Sequence, residues 1–164
     1  MSGGGHYGWN QGIDAEQWKA TVKTVIARLR GQTQLRFLCH NMKEYELAAE
    51  LEPDIPRLFP RTPQEYFQTL SRVRIALVNR LHAAVALAGI GIPSLAVGTD
   101  TRLLMVEATG LPFEYVKKAT PEVVLGHLGR LLSNWQAERD RLLGLRQFVW
   151  NRYVEIVRAV LSVG

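Results

Sequence analysis

The sequence predicts an α/β domain in three layers, with a mostly parallel sheet of about four or five strands and a long helical tail at its C-terminal end. The central stretch, residues 71–101, carries the strongest evidence. Residues 75–78 form a short apolar run, residues 81–90 are rich in alanine, and residues 94–97 form a second apolar run that precedes a glycine. This order is typical of a strand, a buried helix and a second strand. It therefore predicts a βαβ unit with two parallel strands.

The chain before this unit repeats the alternation of helix and strand. The expected elements are a helix over 14–30, a strand over 35–40, a helix over 42–51, an extended segment over 55–59 and a helix over 64–72. Asp14 is a favoured N-cap residue, and Gly31 follows the last apolar position of the first helix. Pro53 ends the second helix, and Thr62-Pro63 is a typical helix start.

The chain after the central unit predicts one more strand and a helical tail. The expected elements are a helix over 101–109, a last strand over 113–116 and helices from about residue 121 to residue 161. Thr120-Pro121 opens the tail, and Gly144 is the expected break between two tail helices. The tail is too apolar to face water on all sides, so we expect it to cover the sheet or to contact another domain or subunit.

The composition is that of a globular protein. Of the 164 residues, 47% are hydrophobic and 21% are charged, which argues against a disordered chain. The length suits one domain, expected over residues 13–164 after a flexible glycine-rich start at 1–12. The net charge of +5 suits an anionic ligand, an acidic membrane surface or nucleic acid. Because the basic residues are spread along the chain, without a dense run or a zinc-finger signature, we expect no nucleic-acid partner.

The glycine-rich start leaves two interpretations open. It is a flexible terminus, or it is a phosphate-cradling loop, because a helix opens soon after it. Its glycines lack the spacing of known nucleotide-binding fingerprints. This start has no signal-peptide pattern and the chain no apolar run long enough to cross a bilayer, so we expect no transmembrane segment and a cytoplasmic location.

The cysteine and histidine residues exclude several chemistries. Cys39 is the single cysteine, and its apolar neighbours predict a buried strand residue rather than a nucleophile. The histidines do not fall at metal-ligand spacings, so we expect no metal. They are His6, His40, His82 and His127. No Gly-x-Ser-x-Gly motif is present to support a hydrolase triad.

Polar side chains follow three of the predicted strands. They are His40 and Asn41 after the strand at 35–40, Arg80 and His82 after the strand at 75–78, and Thr99, Asp100 and Arg102 after the strand at 94–97. Because parallel neighbouring strands end at one edge of a sheet, we expect these side chains to converge there. The positive end of a helix dipole near Arg80 and His82 favours an anion site. Arg80 and Arg102 can grip a phosphate or a carboxylate, and His82 can move a proton near neutral pH.

These residues also have a structural interpretation. Asn79 can cap the helix that follows it, which leaves Arg80 and His82 as solvent-facing or packing residues. Asp100 can likewise cap the next helix, with Arg102 on the solvent face of that helix. From the residues alone, both interpretations stay open.

The central stretch resembles the C-terminal half of the polysaccharide pyruvyl transferases. The resemblance rests on Asn79-Arg-Leu-His82-Ala-Ala and on Gly91-Ile-Pro93-Ser-Leu-Ala-Val-Gly-Thr-Asp-Thr-Arg102. In that family an Arg-x-His turn opens a helix, a Gly-Val-Pro or Gly-Ile-Pro segment opens the next strand, and a Tyr or Asp followed closely by Lys or Arg comes after it. The resemblance covers about residues 35–117.

The resemblance implies a Rossmann-like domain of the glycosyltransferase-B type that needs no cofactor. Enzymes of this family transfer pyruvyl, as a ketal, from phosphoenolpyruvate to a sugar of a cell-surface polysaccharide or of its precursor. The implied catalytic residues are Arg80 and His82, and the implied substrate-binding residues are Arg102, Asp100, Thr99, His40 and Asn41. Because the family builds its site between two halves, we expect turnover only with a second half, from a longer chain or from a partner.

Two alternatives to this enzyme stay open. One is a non-catalytic domain that binds a ligand or a partner, including a second copy through the C-terminal helices. The other is a glycosyltransferase-like domain that binds a sugar nucleotide.

Overall fold

The structure, a computed structural model, describes residues 13–99, 105–107 and 109–162. Its helices and strands are, in chain order, α1 (Ala15–Leu29), β1 (Phe37–Leu38), α2 (Met42–Leu51), β2 (Arg57–Leu58), α3 (Pro63–Leu70), β3 (Ala76–Val78), α4 (Leu81–Gly89), β4 (Ser94–Gly98), β5 (Phe113–Tyr115), α5 (Pro121–Ser133) and α6 (Trp135–Leu161). In the described residues β1 pairs with β2, β3 with β4 and β4 with β5, and each pair is parallel. The α/β class, with short parallel sheets and a long C-terminal helix, is therefore confirmed.

The strands form two small sheets, so the prediction of one sheet with four or five strands is wrong. β1 and β2 make one pair, and β4 lies between β3 and β5 in the other sheet. β2 is short because Pro56 and Pro60 flank it, and proline has no N–H to continue a ladder. The two sheets share apolar packing, since Leu38 of β1 and Ala76 of β3 contact one buried cluster. That cluster consists of Leu70, Leu87 and Ile92.

The predicted βαβ unit is confirmed, with α4 between two parallel strands. Ala76 of β3 lies opposite Ser94 of β4, and all five residues of β4 are buried. Leu95 and Val97 pack with α1 and α5, whereas Ala96 packs with α4 and α6. Because successive side chains of a strand point to opposite faces, different helices cover the two faces of β4.

The helix starts follow the capping residues that the sequence offers. The side chains of Asp14, Asn41, Thr62 and Thr120 each accept a backbone N–H of the first turn, in α1, α2, α3 and α5 respectively. The predicted helix over 101–109 lies partly outside the described residues, and the glycine-rich start at 1–12 lies wholly outside them. Residues 105–107 form a 3-10 turn rather than an α-helix.

The tail breaks at Asn134, so the predicted break at Gly144 is wrong. The Asn134 side chain donates a hydrogen bond to the Arg130 carbonyl over 3.1 Å, and such local bonds compete with the helix. Gly144 lies inside α6, where a glycine costs only about 1 kcal/mol relative to alanine.

The first half of α6 is attached to the rest of the fold. Leu142 is 1% exposed and belongs to the same cluster as two alanines of α4. Arg141 donates to the Thr109 carbonyl over 2.8 Å, and Arg146 donates to the Gly89 carbonyl over 3.3 Å. Within the described ranges, no helix has both the length and the apolar character needed to cross a bilayer.

Candidate functional site

The structure gathers predicted site residues where β1 and β3 end. His40 and Asn41 follow β1, and Arg80 follows β3 by two residues. Glu44 of α2 joins them, because its carboxylate forms an ion pair with the Arg80 guanidinium and lies 3.0 Å from Nδ1 of His40. The convergence predicted for His40, Asn41 and Arg80 is therefore present, around an acidic residue that the sequence analysis does not select.

Glu44 owes its position to the start of α2. The Asn41 side chain accepts the backbone N–H of Glu44 over 3.0 Å, and the Glu44 carboxylate accepts the backbone N–H of His40 over 2.7 Å. This reciprocal arrangement closely resembles a capping box, in which Glu lies three residues after the N-cap. The spacing Asn41-x-x-Glu44 is thus the sequence signal that identifies this residue.

A second helix start has the same design without the long-range contacts. In α3 the Thr62 side chain accepts the backbone N–H of Glu65, and Glu65 accepts the backbone N–H of Arg61 over 2.8 Å. Glu65 is exposed, whereas the Glu44 side chain is only 13% exposed. In α3 the capping glutamate therefore serves the helix start alone. In α2 the capping glutamate also pairs with Arg80, which lies in another part of the fold.

The environment of Glu44 favours its charged form. Burial raises the pKa of Glu44, but the hydrogen bonds from His40 and the charge and hydrogen bond of Arg80 outweigh it, so the pKa lies below its usual value. Glu44 is ionised at neutral pH, and it neutralises much of the charge of Arg80.

Tyr66 and Cys39 lie near the Glu44 carboxylate, and both keep their protons at neutral pH. Nε2 of His40 lies 3.3 Å from the Tyr66 hydroxyl. Burial and the negative charge of Glu44 raise the pKa of Tyr66 and of Cys39. Cys39 is 2% exposed, as predicted, and its raised pKa makes it a poor nucleophile.

The start of α4 differs from the starts of α1, α2, α3 and α5. Arg80 is its N-cap residue, with extended backbone, and no side chain within the described ranges caps the first turn. The alternative in which Asn79 is the N-cap is wrong, because the helix begins one residue later. Among the described residues, the first amides of α4 thus lack the side-chain acceptor that α1, α2, α3 and α5 have, as do those of α6. Uncapped amides at a helix start favour an anion.

The remaining predicted residues have different outcomes. His82 lies in the first turn of α4 and is exposed, and it makes no hydrogen bond or ion pair within the described ranges. Thr99 directly follows β4 and is half-buried. Asp100 and Arg102 lie outside the described residues.

A cleft elsewhere does not coincide with this site. It measures about 540 Å³, lies beside β2 and α3, and is lined in part by Arg36, Arg57 and Arg72. None of His40, Glu44, Arg80 and His82 lines it. The candidate site is therefore a separate arrangement of residues at the ends of β1 and β3.

The side chains of the described residues form no group of three or more His, Cys, Asp or Glu residues that could hold a metal ion. The candidate site offers cationic and hydrogen-bonding groups.

Comparisons with known proteins add no relative to this picture. No protein-family model matches the chain, and neither the curated proteins nor the solved structures include a match.

Proposed function

We propose that the start of α4 binds the anionic groups of phosphoenolpyruvate, and that the chain is the corresponding half of a polysaccharide pyruvyl transferase. The uncapped first turn of α4, flanked by Arg80 and His82, is the observation that carries this proposal. A carboxylate or phosphate oxygen would supply the acceptor that this turn lacks, and the helix dipole would favour its charge. The resemblance of the Arg80-Leu-His82 turn to the family supports the same ligand.

Glu44 acts in this proposal as a positioning residue. Its ion pair holds the Arg80 guanidinium at the junction of β3 and α4. Since an ionised Glu44 offsets part of the charge of Arg80, the amides of α4 and the His82 side chain add to the attraction that Arg80 exerts on the anion. Arg102 and Asp100 belong to the proposed site on the resemblance alone.

The proposed reaction forms a ketal and releases phosphate. Two sugar hydroxyl oxygens bond to the central carbon of phosphoenolpyruvate, the bond from that carbon to the phosphate oxygen breaks, and the methylene carbon gains a proton to become a methyl group. Of the two hydroxyl protons, one balances this methyl group and the other leaves with the phosphate. His82 is the proposed proton carrier, because imidazole exchanges protons near neutral pH.

The proposal includes a Rossmann-like fold, a second half that completes the site, and a cytoplasmic location. The helices on both faces of β4, and the position of the site where parallel strands end, support the fold.

Calorimetric titration with phosphoenolpyruvate tests the binding site. Arg80→Ala should weaken binding by roughly ten- to a hundredfold, because it removes a charge-assisted bond of about 1.5–3 kcal/mol. Arg152→Ala is the matched control, since Arg152 also pairs with a carboxylate but lies far along α6, and it should bind like the unmodified chain.

The role of His82 needs a turnover assay. Phosphate release should be measured with a second half present, either in one longer chain or as a partner. His82→Ala should lower the rate by about two to four decades while affecting binding much less.

Two results would contradict the proposal. If Arg80→Ala and His82→Ala lower stability by about 1–3 kcal/mol and leave titrations unchanged, both residues serve the fold alone. If a sugar nucleotide binds and phosphoenolpyruvate does not, the glycosyltransferase-like alternative replaces the pyruvyl transferase.

A further inference from the structure

The second half of α6 carries an apolar face that the described part of the chain leaves uncovered. Its large exposed side chains are Phe148, Val149, Trp150, Tyr153, Ile156, Val160 and Leu161, with exposed fractions between 55% and 77%. A group of exposed large apolar side chains along one helix marks an interaction site.

The spacing on this face is that of a helix that pairs with another helix. Val149, Tyr153, Ile156 and Val160 follow one another at intervals of four, three and four residues. This repeat keeps one row of side chains facing a partner helix, as in coiled coils. We call these four residues the α6 seam.

The α6 seam continues a row that is already packed within the chain. Leu142, seven residues before Val149, is buried against α4. α4 ends at Gly89, whose carbonyl accepts a hydrogen bond from Arg146. Beyond Arg146 the row therefore runs past the end of its intramolecular partner, and another helix is needed to cover it.

We propose that a second copy of this chain covers the α6 seam, with the two α6 helices antiparallel about a two-fold axis near Val154 and Glu155. In this register Val149 of each copy lies opposite Val160 of the other, and Tyr153 lies opposite Ile156. All four seam residues are thus paired, and the same patch serves both subunits, as two-fold symmetry requires. The packed first halves of α6 then lie at opposite ends of the pair, which keeps the two domain bodies apart.

The residues beside the α6 seam fit this register. Trp150 lies near Val157 of the other copy, which widens the apolar contact. Arg152 lies near Ala159, so no like charges meet across the pair. The four seam residues and Trp150 offer on the order of 500 Å² of exposed side chain per copy, the larger part of the roughly 800 Å² per partner of a stable interface.

Light scattering and sedimentation equilibrium at micromolar concentration test the pairing. The unmodified chain should be a dimer, and Ile156→Arg should be a monomer with an unchanged circular dichroism spectrum. Asn151→Arg is the matched control, because Asn151 is exposed on the side of α6 away from the seam and the change adds the same charge. This variant should stay dimeric.

Disulfide cross-linking tests the register. A mixture of Val149→Cys and Val160→Cys chains should form a cross-linked dimer of one chain of each kind, and neither variant alone should cross-link. Cross-linking of either variant with itself would indicate a parallel pair and would overturn the proposed register. Cys39 is buried, so the unmodified chain serves as the blank.

The result that would overturn the dimer is a monomeric unmodified chain at these concentrations. If such a monomer also sediments with vesicles of anionic phospholipid, and Ile156→Arg abolishes this, the face binds a lipid surface instead. The test is separate from the proposed function, because the α6 seam shares no residue with the phosphoenolpyruvate site.

Discussion

The carboxylate of Glu44 offers the sharpest test of how the candidate site is held together. Glu44→Gln should lower the free energy of unfolding by about 1–2 kcal/mol, since hydrogen bonds to a charged group are worth about 1.5–3 kcal/mol and Arg80, at 42% exposure, is partly screened by water. Glu65→Gln should change it by no more than about 0.5 kcal/mol, because glutamine also serves in a capping box and Glu65 is exposed. Urea unfolding followed by circular dichroism measures both.

The pH dependence of this difference provides a second criterion. Because the pKa of Glu44 is lowered in the folded chain, its contribution is complete above the ordinary value of about 4.3 and is lost as the pH falls through the folded value. The gap between the unmodified chain and Glu44→Gln should therefore close in strong acid. Equal costs for Glu44→Gln and Glu65→Gln at neutral pH would refute the reasoning, and a double-mutant cycle with Arg80→Ala would then give no coupling.

Two further predictions concern the rest of the fold. Burial, followed by the charge of Arg130, lowers the pKa of His127 in the folded chain. As the pH falls below about 6.5, the unfolded chain therefore protonates at His127 before the folded chain does, and the free energy of unfolding decreases. Thermal unfolding measured at a series of pH values below about 6.5 should show this loss of stability, and the loss should be smaller in His127→Gln. Gly31 and Gly91 both have positive φ, but a Cβ at Gly91 would lie 2.9 Å from Cγ of Leu143, whereas a Cβ at Gly31 would meet open space. Gly31→Ala should lower the free energy of unfolding by about 1–2 kcal/mol, because of its backbone conformation alone. Gly91→Ala should lower it by about 1–3 kcal/mol more, because of the added contact with Leu143. Equal losses for the two variants in urea unfolding would contradict this.

The elements that the sequence predicts best are those that local chemistry defines. α2 begins and ends as predicted, because Asn41 caps it and Pro53 follows its end. The β3–α4–β4 unit is also predicted closely, since its apolar runs and alanine-rich helix lie within one short stretch. By contrast, β1 is much shorter than its apolar run, because strand length depends on pairing with a proline-flanked β2 that the run itself does not encode.

The candidate site divides in the same way. The positions of His40, Asn41 and Arg80 after their strands could be predicted from the apolar runs, although β1 and β3 belong to different sheets. The link between Arg80 and Glu44 could not, since the two residues are 36 positions apart and only tertiary packing brings them together. The capping spacing of Glu44 was visible in the sequence, but Glu65 has the same spacing and no such contact.

The contact between α1 and α5 bears on the order in which the chain folds. Each strand pair joins segments about twenty residues apart, so these units close short loops at modest entropic cost. Arg28 and Glu122, which join α1 to α5, are 94 residues apart. During synthesis, the apolar side of α1, including Trp18, therefore stays only partly covered until the ribosome has released α5. A nascent chain arrested before α5 should consequently bind chaperones that recognise apolar helices, and one arrested after α5 should be released.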